Sequence, residues 1–236
     1  MIIDFHTHIL PGIDDGSPNL AVSMDMLREM LRQQVGCVVA TPHCNVYRTS
    51  VDDFLRRRER AQHALLEAAH SEHMDIRLIA GAEVSFFPGI SMLHGIEQLC
   101  IQGTNLCLLE MPFRTWSRQD IQEVNSLIQQ GIVPVIAHLE RYQQGKEALD
   151  MLLALPVYAQ MNAEYLLKWS TRRQALRWIK ADMVQLLGSD CHNTASRPPN
   201  LQAGRNVLRE KLGQAFLHQM DLFGQKLLGV YEDGEL

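Results

Sequence analysis

Ile2-Ile3-Asp4-Phe5-His6-Thr7-His8 is a short apolar run that ends on two histidines spaced two residues apart. Side chains alternate faces along a strand, so this spacing puts both imidazoles on one face, where they can share a metal ion. The pattern repeats along the chain. Strand candidates fall at 2–5, 37–41, 76–82, 106–110, 133–137, 157–161 and 184–188. At or within a few residues of their ends stand, in turn, His6 with His8, His43, Glu83, Glu110, His138, Asn162, and Asp190 with His192. Amphipathic stretches of helical period lie between them, among them 20–34 after a Ser17-Pro18 start signal, 51–70, 118–130 and 171–179. Gly36, Gly131 and Gly145 are placed like glycines that end helices, and Met24, Met26 and Met30 fall at helical core spacing. The stretch 201–230 reads as one or two covering helices, with an acidic tail beyond it.

Alternation of this kind favours a parallel sheet with helical crossovers. Only a barrel brings seven strand ends around one pocket, and in such barrels functional groups gather at the carboxyl-end face. The expected fold is therefore α/β, a distorted (β/α)7 TIM-like barrel, with residues 1–236 as a single domain, since no repeat, low-complexity linker or composition shift divides the chain. An apolar content of 46% supplies a sizeable core. A net charge of −5 argues against a binder of nucleic-acid phosphates. The local run Arg56-Arg57-Arg58-Glu59-Arg60 sits in a helical pattern interleaved with acids and reads as a solvated helix face. No targeting segment and no apolar stretch of about 18 residues is present, so a cytoplasmic protein without membrane insertion is expected. Five cysteines without a Cys-x-x-Cys pair suit a reducing compartment.

The donor types narrow the chemistry. Four or five imidazoles and four carboxylates exceed what one tetrahedral zinc requires, so two or three ions are expected, with a carboxylate such as Glu83 bridging a pair. Mixed nitrogen and oxygen ligation suits manganese, iron or zinc. Arg141 and Arg197 can hold a phosphate bidentately, which points to metal-assisted phosphoester hydrolysis. Competing readings stand beside these. Glu110 can ligate a metal or pair with Arg114, Arg141 can hold phosphate or bridge to Glu140, and Arg197 can be a turn residue before Pro198-Pro199. Spacing does not choose between Asp14 and Asp15, either of which can cap the following helix. Asn162 reads as a structural hydrogen-bonder at the pocket wall, while His63, His70, His73, His94 and His218 read as ordinary surface or core residues. Phe86 and Phe87 read as packing, and Trp116 near Phe113 as an apolar rim for an aromatic substrate. Cys191 to Arg197 formally matches the Cys-x5-Arg pattern of thiol-dependent tyrosine phosphatases. The intervening residues lack the glycine-rich amide loop those enzymes need, so the match reads as coincidence.

At these residues the chain resembles the polymerase-and-histidinol-phosphatase (PHP) family, and within it the manganese-dependent tyrosine phosphatases of bacterial capsule and exopolysaccharide synthesis. The resemblance runs from Met1 to about Leu208 and rests on DFHTHILPGIDDG (4–16), ATPH (40–43), GAE (81–83), Glu110 in LLEMPF, IAHLERY (136–142) and SDCHN (189–193) followed by SRPP. It implies one metal held by His6, His8, Glu83 and Asp190, a second by Glu83, Glu110 and His138, and a third by Asp15, His43 and His192. Arg141 and Arg197 would bind phosphate. The implied metal is manganese, with iron or zinc as alternatives. The implied reaction is phosphotyrosine hydrolysis by a metal-bridging hydroxide without a covalent enzyme intermediate. The implied partner is the tyrosine-rich tail of a polysaccharide co-polymerase kinase, and a homo-oligomer is among the expected states. Other PHP phosphoesterase activities, on histidinol phosphate or nucleotides, and a non-catalytic metal-binding module are the alternatives. Cys44 and Cys191 are departures, soft side chains beside expected ligands.

Overall fold

In the computed structural model, which describes residues 1–230, nine parallel strands curl into two hydrogen-bonded sheets. The first holds β1 (Ile2–Thr7), β2 (Val35–Ala40) and β4 (Arg77–Ala80), in the order β1-β2-β4. The second runs β3 (His43–Cys44), β5 (Glu83–Ser85), β6 (Leu106–Glu110), β7 (Val133–Ile136), β8 (Tyr158–Asn162) and β9 (Leu186–Gly188). Nine strands replace the seven expected because two of them break. Thr41-Pro42 separates β2 from β3, where the proline has no N–H for a ladder. Gly81-Ala82 separates β4 from β5. The chain restarts at both places on a site residue, and His43 pairs in register with Glu83.

The sheets meet at β1. Asp190 N–H donates to the His6 carbonyl at 2.8 Å and His8 N–H to the Cys191 carbonyl at 2.9 Å, so the segment after β9 runs beside the first strand. On the other flank Gln102 N–H donates to Ala80 O at 2.8 Å. The α-helices are α1 (Leu20–Arg32), α2 (Val51–Ser71), α3 (Arg118–Gln129), α4 (Lys146–Leu153), α5 (Ala163–Leu167), α6 (Trp169–Lys180), α7 (Leu201–Leu212) and α8 (Gln214–Leu228). Two short 3-10 turns, Ile90–Met92 and Ile96–Leu99, stand in place of a helix before β6, so a regular alternation of seven units is only approximated.

Helix starts follow the polar residues of the sequence: Asn19 caps α1, Ser50 caps α2 and Ser117 caps α3. Gly131 takes the left-handed turn after α3, as expected, with φ of 85°. Two glycine assignments change. Gly36 lies inside β2, and Gln34 adopts the left-handed conformation after α1 instead. Gly145 precedes α4 rather than ending a helix.

Inward-facing residues of alternate positions, among them Ile3, Phe5, Leu106, Leu108 and Leu186, form an apolar lumen closed from below by Leu228 and Val230. The outward residues pack on the helices, where Met24, Met26 and Met30 of α1 are buried as expected. The two expected covering helices are α7 and α8, and the acidic tail lies outside the described residues. The basic run on α2 is not wholly solvated. Arg58 is buried and donates to the carbonyls of Gly81 (3.1 Å) and Gln98 (3.2 Å), tying α2 to the break between β4 and β5. Three methylenes let the arginine carry its guanidinium to one carbonyl in the strand break and one in the 3-10 turn Ile96–Leu99. No helix among the described residues is long and apolar enough to cross a membrane.

Candidate metal centre

The carboxyl ends of the strands converge on one buried polar cluster. His6, His8, Glu83, His138 and Asp190 are almost fully shielded from solvent, His43 and Glu110 are partly exposed, and Asp15 stands at the entrance. His6 Nε2 and His8 Nε2 face each other at 3.0 Å, and Glu83 Oε2 lies 3.3 Å from both. Asp190 Oδ1 is 3.6 Å from His6 Nε2 and 3.4 Å from His8 Nε2. His138 Nε2 sits 2.8 Å from Glu83 Oε1 and 3.5 Å from Glu110 Oε1. His43 Nδ1 is 2.9 Å from Glu83 Oε2, and Asp15 Oδ1 is 3.5 Å from His43 and 3.7 Å from His192. Three groups of donor atoms lie within 4.8 Å of one another: His8, Asp15, His43 and His192; His6, His8 and Asp190; and His43, Glu83 and Glu110. They overlap at His8 and His43, each serving two groups, where the resemblance implied Glu83 as the shared residue; Glu83 falls in one group and His138 in none.

The tautomers are decided by the partners. His138 N–H donates to Gln160 Oε1 at 2.8 Å, which fixes that atom as an acceptor, and Gln160 Nε2 donates to Asn162 Oδ1. His6 Nδ1, 3.0 Å from the same oxygen, must therefore carry its proton. His8 Nδ1 lies 2.7 Å from Asp14 Oδ2 and carries its proton for the same reason. In their neutral forms both histidines consequently point Nε2 lone pairs at each other and at two carboxylates. That arrangement repels unless protons or a cation fill it, and orienting a histidine through its other nitrogen is how proteins prepare metal ligands. Glu83 Oε2 is buried and makes no well-formed hydrogen bond, although His43 Nδ1 lies 2.9 Å away, so it is a further acceptor aimed into the same space.

The protonation equilibria respond to this crowding. Burial disfavours the charged form of His8, yet Asp14, Asp190 and Glu83 hold its pKa well above the ordinary value. Burial opposes charge on His138 as well, and Glu110 and Glu83 still raise it to about 9. Against burial, His6 and His138 keep Glu83 well below the usual carboxylate range, and His6, His8 and Arg141 do the same for Asp190. His192 moves the other way, to about 4, under burial and the neighbouring His8 and Arg197.

Local backbone geometry supports the cluster. His138 (φ 32°) and Asp190 (φ 52°) occupy the left-handed region, a conformation non-glycine residues hold at a cost and one that gathers at functional sites. A β-carbon on Gly16 would lie 2.2 Å from the His8 carbonyl oxygen, so the turn in Asp14-Asp15-Gly16 requires glycine. That turn separates two roles: Asp14 reaches in to His8 Nδ1 and the His43 N–H, while Asp15 faces the entrance.

Arg141 and Arg197 both contact Asp190 Oδ2, Arg197 at 2.6 Å, and each remains more than a third exposed. Asp190 thus gives one oxygen to the histidines and the other to the guanidiniums. Asn162 Nδ2 also donates to Asp190 Oδ2 at 2.8 Å, the wall role expected of it. Arg114, the competitor for Glu110, pairs with Asp120 instead. His63, His70, His73, His94 and His218 take no part in the three donor groups. Cys191 is fully buried, and burial raises its thiol far above the ordinary value, so it is no thiolate nucleophile. Burial raises Cys44 to about 12, so that neighbour of His43 is a packing residue.

Sequence reasoning missed Gln160, the acceptor that orients the His6 ring and holds the backbone N–H of His138. Its signal was its place two residues before Asn162 on the same strand, hence on the same face. It also missed Asp4, a buried carboxylate that accepts from Ser189 N–H at 2.8 Å and whose pKa burial raises to about 6. Trp116 does not form the rim. It is buried, with its indole N–H on the Pro112 carbonyl, and Phe113 alone is exposed there.

Fold and donor cluster together define an α/β protein of curled parallel sheet that gathers histidines and carboxylates at its strand ends. The chain belongs to the CpsB/CapC family of capsular polysaccharide synthesis, whose model matches residues 2–225. It is 28% identical over 230 residues to the tyrosine-protein phosphatase CpsB of Streptococcus pneumoniae, covering 90% of this chain and 91% of that protein. Among solved structures it is similar, at a TM-score of 0.84 and 24% identity over 98% of this chain and 96% of the other, to one from a study of YwqE from Bacillus subtilis and CpsB from Streptococcus pneumoniae, described as unique metal-dependent tyrosine phosphatases. A putative histidinol phosphatase from Listeria monocytogenes shares the fold at a TM-score of 0.53 and 12% identity, over 80% of this chain and 95% of that one.

Proposed function

We propose that this chain is a metal-dependent protein-tyrosine phosphatase that acts on the phosphotyrosine-bearing tail of a bacterial polysaccharide co-polymerase kinase, in the cytoplasm, with residues 1–236 as one catalytic domain. The observation that carries the reading is the pair of inward Nε2 atoms of His6 and His8, set 3.0 Å apart against Glu83 and Asp190. A donor set of imidazoles and carboxylates without thiolate fits divalent manganese, with iron or zinc as alternatives. His6, His8, Asp15, His43, Glu83, Glu110, His138, Asp190 and His192 would hold two or three ions. The chemistry that such ions supply when bound is Lewis-acid stabilisation of phosphoryl oxygens and activation of water.

The chain's own residues do the rest. Gln160 and Asp14 fix the tautomers of His6 and His8, so the ligating nitrogens need no reorganisation. Arg141 and Arg197 offer guanidinium forks at the entrance and orient the phosphate, exchanging Asp190 Oδ2 for phosphoryl oxygen. No side-chain nucleophile is required, and the one thiol with a suggestive spacing, Cys191, is sealed from solvent. Family membership and the names of the relatives support tyrosine phosphate over other phosphomonoesters.

The test is a manganese-reconstituted assay that compares phosphotyrosine peptides with histidinol phosphate and nucleotides. A preference for the peptide, abolished by chelation and retained in Cys191→Ser, is expected. Preference for histidinol phosphate or a nucleotide, or loss of activity in Cys191→Ser with survival under chelator, refutes the reading.

A further inference from the structure

The entrance to the donor cluster carries one apolar feature that ligation does not explain. Phe113, on the segment after β6, is 64% exposed, and its ring lies 6.0 Å from that of His138 at an interplanar angle of only 16°. Single exposed apolar side chains are ordinary, and Met92 and Trp169 are examples on this surface. Phe113 differs in two respects. It covers a member of the donor cluster, and the segment that presents it is pinned on both sides. Met111 N–H donates to Tyr142 Oη at 2.9 Å, Trp116 N–H to Gln144 Oε1 at 2.9 Å, and Trp116 Nε1–H to the Pro112 carbonyl at 3.0 Å. Gln144 Nε2 donates to the Arg114 carbonyl at 2.8 Å, and the Arg114 side chain is fixed in turn by Asp120. A loop with this many anchors can tuck a phenyl ring away, and this one holds it in water. Its inner side rests on Tyr142, with ring centroids 5.4 Å apart, so only the outer part is free.

Resting on the phosphotyrosine reading, we propose that Phe113 is the aryl-specificity residue of the site: the substrate's phenolic ring packs on its exposed part while the phosphate enters beside His138 and the arginines. Aromatic rings gain from offset or edge contact beyond the area they bury, and an alkyl phosphate of serine or glycerol type gains none of this. Tyr47 is a second exposed ring, but its ring contact is the edge-on one with Phe87, whereas Phe113 stacks on a histidine of the donor cluster. The aryl subsite therefore falls on Phe113. Phe113 is a binding residue here, and its effect belongs in substrate affinity and discrimination.

Calorimetric titration of the manganese-reconstituted protein with phenylphosphonate and with methylphosphonate reads this directly. Phe113→Ala should cut the preference for phenylphosphonate over methylphosphonate by roughly fivefold to tenfold, and Phe113→Trp should keep it. Trp169→Ala, an exposed ring outside the site, should leave the preference unchanged. On a phosphotyrosine peptide the Phe113→Ala defect should lie in KM and not in kcat. Equal loss of both phosphonates, or an unmoved ratio, overturns the proposal. If the ratio responds as expected while the protein fails to turn over phosphotyrosine peptides, the aryl subsite stands and the phosphotyrosine-phosphatase reading falls.

Discussion

The two ends of the curled sheet are built on opposite rules. At the closed end, Ile3, Phe5, Leu108 and Leu186 meet Leu228 and Val230 in an apolar lumen, and α8 packs so closely that a β-carbon on Gly224 would lie 2.9 Å from the Phe5 ring. At the open end, equally buried positions hold His6, His8, Glu83, His138 and Asp190, with two residues in left-handed backbone and an acceptor without a well-formed hydrogen bond. Phe5 and His6 are adjacent in one strand and belong to different economies. Burial stabilises the first, while the second accepts desolvation and crowding, the cost expected of a position kept for the proposed metal centre rather than for stability. The division predicts that substitutions at the two ends change different measurements.

The largest effect belongs to the open end. His138→Ala or Asp190→Ala should lower manganese-stimulated kcat/KM by about a thousandfold or more, since each removes a group that acts as part of a unit. Their metal-free melting temperatures should stay near wild type. Manganese at about a hundred times its Kd should stabilise the wild type by about 2.7 kcal/mol and Asp190→Ala by much less, read as the shift in Tm. Unchanged turnover in both variants would break the assignment of the cluster. At the closed end, Leu108→Ala should cost about 2–5 kcal/mol in denaturant unfolding, as deletions in a packed core do, with kcat unaltered at temperatures where the variant is folded. A Leu108→Ala variant that lost turnover at full stability would show that the two ends are not separable.

Asp14 tests the support beneath the ligands. Asp14→Asn keeps the shape but removes the charge that faces His8 Nδ1, and should weaken manganese affinity about 10–100-fold, measured by competition with a metallochromic dye. Stability without metal should change little. If affinity holds, the orientation of His8 comes from Gly16 and the backbone instead.

Much of this division was readable from residue order. The strand-end histidines and carboxylates, Asn162 as a wall residue and the methionine core of α1 follow from periods of two and 3.6. What escaped has a physical reason in each case. Breaks at Thr41-Pro42 and Gly81-Ala82 depend on how neighbouring strands pair, which no local pattern encodes. Arg58 looked solvated because its neighbours are, and only the strand break at Gly81 together with the 3-10 turn at Gln98 gives its guanidinium carbonyls to bind. Spacing left Asp14 and Asp15 equivalent, and the turn at Gly16 decides which faces inward. Trp116 left the expected rim because its indole N–H finds the Pro112 carbonyl when buried, and Phe113 remains exposed there.

The smallest predicted effect lies where the two rules meet. Ser117 and Asp120 form a capping box at the start of α3, on the open side: Asp120 Oδ2 accepts from Ser117 N–H at 2.7 Å, and Ser117 Oγ accepts from Asp120 N–H at 3.2 Å. Asp120 also holds Arg114, and so the segment that bears Phe113. The hydrogen bond from Arg114, against some desolvation, lowers the Asp120 pKa from 3.8 to about 2. A depressed carboxylate contributes stability that is fully present above its unfolded value and disappears as pH falls through the folded one. Ser117→Ala should cost about 1 kcal/mol at neutral pH. Asp120→Asn should cost a similar amount, kept modest by the solvent around Arg114, and its denaturant midpoint should converge on that of the wild type between about pH 4 and pH 2. A gap that does not narrow between about pH 4 and pH 2 would mean that Asp120 works through shape, not charge. Loss of aryl preference in Asp120→Asn, with manganese affinity intact, would locate in this cap the rigidity that keeps Phe113 exposed at the mouth.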